Sequence, residues 1–339
     1  MKKFLVKIIT FLLITTLSFS TSGCFLSLNG NGSNNGSNNG GDNSGNGGNN
    51  PPANERVTTL EFEQKVDALQ GSETLKLDSG NFGVITFKTG QDSGQTLNDK
   101  PLYVRELDTI TIEGKLDGTS KTTFLKTLKF ETHTTINDTS VIVKTRIKTL
   151  KFKDLNFTDN IKLVLNYSSL ENGFISIENL VFENVSINNG DMSNLTGRHG
   201  VAIETNCGAI KNVSFVNSQV INVNSQNASG IHFNDATGME KITIKNTKIA
   251  GINYNAVQVN KFKGELTIDE CTTSFTGSRA IRIDDIKEGS IVTITNNKFE
   301  AVNSDEAFKI SSVHPSTYLT ISNNTLNGEP LTYDDYVIA

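Results

Sequence analysis

The chain has 339 residues, a formal charge of −5 and 36% hydrophobic residues, with 28 Gly, 5 Pro, 3 Cys and no Trp. It is long enough to bury a sizeable core, and acids exceed bases, 36 to 31, which speaks against the clustered basic character of a nucleic-acid binder. The 7% aromatic content argues against a core built on rings, and the absence of proline from Leu102 to His314 suits a region of hydrogen-bonded strands.

At the start of the chain, Lys2, Lys3 and Lys7 flank an apolar run from Ile8 to Leu17, and small residues lead to Thr21-Ser22-Gly23-Cys24. A basic start, a short apolar stretch and small residues before a cleavage point predict a secretory signal peptide over residues 1–23. The apolar run is shorter than the roughly 20 residues a transmembrane helix needs. The small residues ending at Cys24 resemble a bacterial lipobox, which implies that Cys24 becomes the lipidated first residue of an exported lipoprotein. Asn29 to Asn50 then holds 10 Asn, 8 Gly, 3 Ser and 1 Asp, with no apolar residue. Such a segment cannot bury a core, so residues 24–54 read as a disordered Asn/Gly/Ser linker behind the lipid anchor, with a reach of roughly 25 Å. The folded domain is expected over residues 55–339.

Thr58-Thr59-Leu60-Glu61 matches a capping box, Phe62, Val66 and Leu69 share one helical face, and Gly71 follows as a stop signal. These signs predict a short amphipathic helix over residues 58–70, placed to cover the exposed edge of the strands that follow.

Beyond it, one pattern keeps returning: apolar, polar, apolar, any residue, Asn. It runs Leu180 to Asn184, Val213 to Asn217, Ile242 to Asn246, Val292 to Asn296 and Leu319 to Asn323. Variants run Leu150 to Asp154, Leu266 to Glu270 and Ile110 to Gly114. The steps between first residues span 24 to 40. Period-2 alternation predicts strands. A second strand series precedes the later copies: Val201-Ala202-Ile203, Ile231-His232-Phe233, Val257-Gln258-Val259, Ile281-Arg282-Ile283 and Phe308-Lys309-Ile310. Short strands repeated at this spacing without helices predict an all-β solenoid of about eight coils, whose stacking builds one continuous core. The Asn at each bend tolerates left-handed backbone, and its amide can pair with the Asn of the next coil about 4.8 Å away. Asn246 is accordingly expected to be buried and paired with Asn217, whereas ionised Asp154 and Glu270 should interrupt the ladder. A β-sandwich and a left-handed β-helix are the competing folds, and the latter needs a hexapeptide period that is absent.

The Asn184, Asn217, Asn246, Asn296 and Asn323 series resembles the right-handed parallel β-helix of the pectate-lyase-like superfamily. The resemblance covers roughly Thr58 to the C-terminus. It implies a substrate groove along the outer face of the first strand of each coil. In that register the outward residues are Ala202, His232, Gln258, Arg282 and Lys309, followed by Glu204, Asn234, Asn260, Asp284 and Ser311. The candidate binding residues are Gln258, Asn234, Asn260 and Asp284, and the candidate catalytic residues are Arg282, Lys309 and His232. Asp284 with Asp285 is the one candidate for Ca²⁺, the cofactor that a lyase of this family would use. The family's catalytic sets do not transfer: the outward acids are scattered, and His199-Gly200 precedes Asp284-Asp285, the reverse of the polygalacturonase order. Arg198-His199 reads as a turn entering a first strand. His133 and His314 have no local acid–base partner, and Cys207 and Cys271, 64 residues apart with no CxxC, read as small thiols.

Two functions fit. One is a surface-anchored lipoprotein, monomeric, that displays a polar face for carbohydrate or another surface. The other is a membrane-tethered polysaccharide lyase or glycosidase acting on an acidic polysaccharide. The lack of Trp and of outward aromatics in the groove rows favours binding. Cys24→Ala is expected to move the protein from the membrane fraction to the soluble exported fraction; unchanged membrane retention would rule out Cys24 as the anchor.

Overall fold

A computed structural model describes residues 56–338, apart from 88–89, 98, 131–132, 137–138, 166–174, 191, 303–306 and 333–334. The leader, Cys24 and the linker lie outside the described residues.

The chain winds into a parallel β-helix. Sheet A stacks nine parallel strands in chain order: Gly71–Lys76, Lys100–Glu113, Thr139–Lys153, Ile175–Glu183, Ile210–Val216, Lys241–Lys245, Glu265–Asp269, Ile291–Thr295 and Tyr318–Ser322. The last eight carry the repeat found in the sequence, and Gly71–Lys76 adds one rung before it. Sheet B, which includes Ser186–Asn188, Gln219–Val223 and Lys248–Ile252, follows each bend. Sheet C runs Ile161–Val164, Val201–Glu204, Ile231–Phe233, Val257–Phe262, Ile281–Ile286, Phe308–Val313 and Tyr336–Ile338. The 40-residue first step is accounted for by an antiparallel hairpin, His133–Ile136 against the start of Thr139–Lys153. A similar hairpin, Gln91–Leu97, precedes it.

The alternation places the predicted inward pairs in the core, except that Leu319 and Ile321 of the last repeat are only half-buried. Leu180, Phe182, Ile242, Ile244, Val292 and Ile294 are fully buried. The expectation about rings needs correction. Rings are few on average but concentrated inside: among the described residues the ten largest fully buried side chains are all phenylalanine. Phe182 stacks on Phe215 at 4.7 Å and on Phe152 at 5.5 Å, one ring per rung. On the outer face of sheet A, acids and bases of neighbouring strands pair, as in Lys151–Glu183 at 2.6 Å and Lys241–Glu265 at 2.9 Å. Each such pair contributes less than about 1 kcal/mol, but together they favour the observed register over a slipped one.

The helix is shorter than the signals suggested, Phe62–Ala68 with Glu61 at its N-cap. The Thr58 hydroxyl donates to the Glu61 carboxylate at 2.7 Å instead of accepting from the helix, so residues 58–61 form a closed turn ahead of it. Phe62, Val66 and Leu69 are buried as their spacing required. The buried Arg105 guanidinium donates to the carbonyls of Val66 at 2.6 Å and Leu69 at 3.1 Å, satisfying the helix end that water would otherwise solvate.

The bends differ from expectation in one respect. Asp154, Asn184, Asn217, Asn246, Glu270, Asn296 and Asn323 all have left-handed backbone, φ 45° to 57°. Asn246 donates its amide to Asn217 at 2.7 Å, and Asn323 to Asn296 at 3.2 Å. Asp154 accepts from Asn184 at 2.6 Å, which ends the ladder rather than breaking it, and Asn296 bypasses Glu270 to reach Asp269 at 2.8 Å. Asn246 is nevertheless exposed, and so are Asn217, Asn296 and Asn323. After a left-handed residue the chain turns inward, so the buried column is the next residue along: Val185, Ser218, Thr247, Cys271, Asn297 and Asn324. The polar members reach back to the carbonyl of an inward residue on the preceding rung. Ser218 donates to Phe182 at 3.2 Å, Cys271 to Ile244 at 3.3 Å, Asn297 to Ile268 at 3.0 Å and Asn324 to Ile294 at 2.9 Å. Burial pushes the Cys271 thiol up to about 12, so it serves as a packed donor and not a nucleophile.

Stability should therefore depend on the inner column. Asn297→Leu strands the Cys271 N–H, 2.8 Å from its present acceptor Asn297 Oδ1, and should cost about 2–3 kcal/mol in urea denaturation. Asn246→Gly, which keeps the left-handed bend, should cost less than about 1 kcal/mol. The reverse order would place the structural load on the outer ladder.

Candidate functional site

The outer face of sheet C carries the side chains that the sequence singled out. Strand pairing sets Ala202, His232, Gln258, Arg282 and Lys309 side by side on successive rungs, and Asn260 beside Asp284 and Ser311. The column begins one rung earlier than the sequence suggested, at Lys162, which pairs with Ala202. Small buried residues, Gly200, Gly230, Ala256, Ala280 and Ala307, bring the chain into each of these strands. A Cβ at Gly200 would lie 2.7 Å from the Gly230 carbonyl oxygen, so the turn carrying His199 packs against the next rung with no room for a side chain there.

Most of the face is internally bonded. The Gln258 carboxamide oxygen accepts from Ser229 Oγ at 3.0 Å and from the buried Asn255 at 3.1 Å. Arg282 donates to Asp284 at 2.6 Å and to the Tyr254 hydroxyl at 3.0 Å. Ser311 donates to the other Asp284 oxygen. Despite the desolvation of this half-buried guanidinium, its bonds to Asp284 and Tyr254 raise its pKa, so it is a fixed cation. Asp285 turns away and binds Lys287 at 2.7 Å. Asp284 and Asp285 therefore do not converge, and Ca²⁺ would have to displace both Arg282 and Lys287. Among the described residues no group of three or more His, Cys, Asp or Glu side chains is placed to hold a metal.

A cleft opens at the first rungs of sheet C. A cavity of about 500 Å³ is lined by Lys162, Arg198, His199, Ala202, Glu204, His232 and Asn234, among others. His199, read from sequence as a turn residue, is a half-buried member of a histidine pair: its Nε2 lies 3.0 Å from Nδ1 of His232. Its turn is held from inside. The buried Asn189 donates to the carbonyls of Arg198 at 3.1 Å and His199 at 3.0 Å, and Ser225 Oγ accepts from Arg198 N–H at 3.1 Å. Glu204 accepts from Asn234 at 2.7 Å.

The pair has one consistent proton arrangement. The Ser229 backbone N–H donates to His199 Nδ1 at 2.9 Å. A backbone amide can only donate, so His199 carries its proton on Nε2 and donates it to His232 Nδ1. His232 then carries its proton on Nε2. His232 lines the cleft, and the atom 3.4 Å from its Nε2 is the Asn260 amide nitrogen, also a donor, so the two make no hydrogen bond unless the carboxamide turns its oxygen to the ring. The Ser229 amide takes the His199 lone pair and His199 takes that of His232, so the pair presents one donor and no base. Burial, reinforced by Lys162, lowers the His199 pKa to about 4, and burial, reinforced by His199, lowers that of His232 to about 4. Both rings are neutral at pH 7.

No protein-family model, curated protein or solved structure matches this chain.

The groups facing the pair are Lys162, Arg198 and Glu204. Because the unfolded histidines take up protons below about 6.5 and the folded pair only near 4, stability should be complete above pH 6.5 and fall as pH drops towards 4. With allowance for partial exposure, the loss between pH 7 and 5 should be about 2 kcal/mol. His199→Asn with His232→Gln should flatten that slope in urea titrations. An unchanged slope would mean that the pair titrates normally.

Proposed function

We propose that the chain is a surface-anchored lipoprotein whose sheet C face binds an extended carbohydrate. The leader, the lipobox-like Cys24 and the Asn/Gly/Ser leash support tethering at a membrane. The likeness to the pectate-lyase-like superfamily supports a ligand lying along this face. The observation that carries the reading is the histidine pair. It offers a fixed hydrogen-bond donor, whereas general base catalysis needs a free lone pair at the substrate. Along the column, outward groups repeat about 4.8 Å apart and are held in place by Ser229, Asn255, Asp284 and Tyr254, so a polar polymer would meet pre-oriented partners. The lyase or glycosidase reading would need a base elsewhere, and Lys309 is the remaining candidate on this column.

Retention on immobilised neutral and acidic polysaccharides tests the proposal. The protein should be retained by at least one. Arg282→Ala with Lys309→Ala should weaken that retention about tenfold while the melting temperature moves little, since neither side chain fills the core. Release of unsaturated or reducing ends from a retained polymer would replace binding by catalysis. No retention on any polymer would reduce the face to solvated surface.

A further inference from the structure

The cleft brings two cations together without an acidic partner. Other bases of sheet C pair with acids, Lys261 with Asp235 and Arg282 with Asp284, although Lys309 at the far end of the column forms no ion pair among the described residues either. Lys162 and Arg198 form no ion pair among the described residues, yet both line the same cavity. Between Lys162 and His232 the column holds only the methyl group of Ala202. Two rung spacings, about 9.6 Å, therefore separate a cation from an N–H donor across a shallow floor. Glu204, anchored by Asn234, forms another part of the wall.

The fixed proton on His232 Nε2 decides what such a notch can take. A hydroxyl can donate or accept, so it would suit a histidine in either form. A donor that cannot reverse, beside two unpaired cations, selects a group that only accepts. Resting on the carbohydrate-binding reading above, we propose that this notch is a subsite for a sugar residue bearing an anionic oxygen, a carboxylate or a sulfate ester. The anion lies over Ala202 between Lys162, Arg198 and the Nε2–H of His232, and a neighbouring hydroxyl donates to Glu204. His199 acts as a positioning residue: it carries the constraint of the Ser229 amide to His232.

Calorimetric titration of the full chain with three soluble polymers of equal length separates the possibilities: a polyuronate, its neutral methyl ester and a sulfated neutral glucan. The polyuronate or the sulfated glucan should bind at least about tenfold more tightly than the ester, and which of the two binds identifies the anion. Lys162→Ala with Arg198→Ala should remove that preference. Ala202→Leu fills the notch without changing a charge, points outward and leaves the core intact, and should remove it too. Equal binding of acidic and neutral polymers, or an acidic preference that survives both variants, would overturn the subsite while leaving the binding face standing. Binding of none of the three, with no retention on any other polysaccharide, would remove the carbohydrate reading itself.

Discussion

From Ser218 onward each rung is tied to the one before it by a polar side chain that enters the core immediately after a left-handed bend. Parallel stacking alone leaves register weakly specified, because a strand of alternating residues can slip by two without turning its apolar face outward. A buried Ser, Cys or Asn that must find one particular carbonyl on the preceding rung cannot slip. Ser218, Cys271, Asn297 and Asn324 each make that bond to the inward residue of the preceding strand. Burial makes the constraint strong, since an unmade bond there has no water to replace it. The exposed Asn ladder outside it supplies the backbone geometry that allows the turn.

Register fixed in this way turns a repeat into a site. Once Val201, Ile231 and Val257 are aligned, Lys162, Ala202, His232 and Gln258 form a column without further design. The turn residues one step earlier also align, so that the Ser229 amide meets His199. A single backbone donor then propagates through two rings and ends as one N–H at the surface. The same geometry neutralises the pair: a proton on His199 Nδ1 would face the Ser229 N–H, and desolvation and Lys162 add to that cost.

The fold was legible because each local signal agreed with the others: period-2 alternation, Asn at the bends and a pattern that returns along the whole domain. The bends themselves were legible, but the buried residue was not, because alternation stops at a left-handed residue and the inward position moves by one. The ring content misled for a simpler reason. An average over the chain hides where the rings lie, and phenylalanines such as Phe152, Phe182 and Phe215 are gathered inside. Of the site, the outward column could be read from Ala202 to Lys309. Lys162 was missed because the strand series was traced from Val201 onward, although Ile161-Lys162-Leu163 shows the same alternation. His199 was missed because its partner lies 33 residues away, and its contact depends on the path of a turn that periodicity does not describe.

The central claim is that rung stacking fixes the protons of the histidine pair. Long-range nitrogen–proton correlation spectra of the two imidazoles at pH 7 test it most directly. The account predicts that His199 and His232 are both neutral and both protonated on Nε2, with no averaging between forms. A proton on Nδ1 of His232, or rapid exchange between the two nitrogens of either ring, would contradict it.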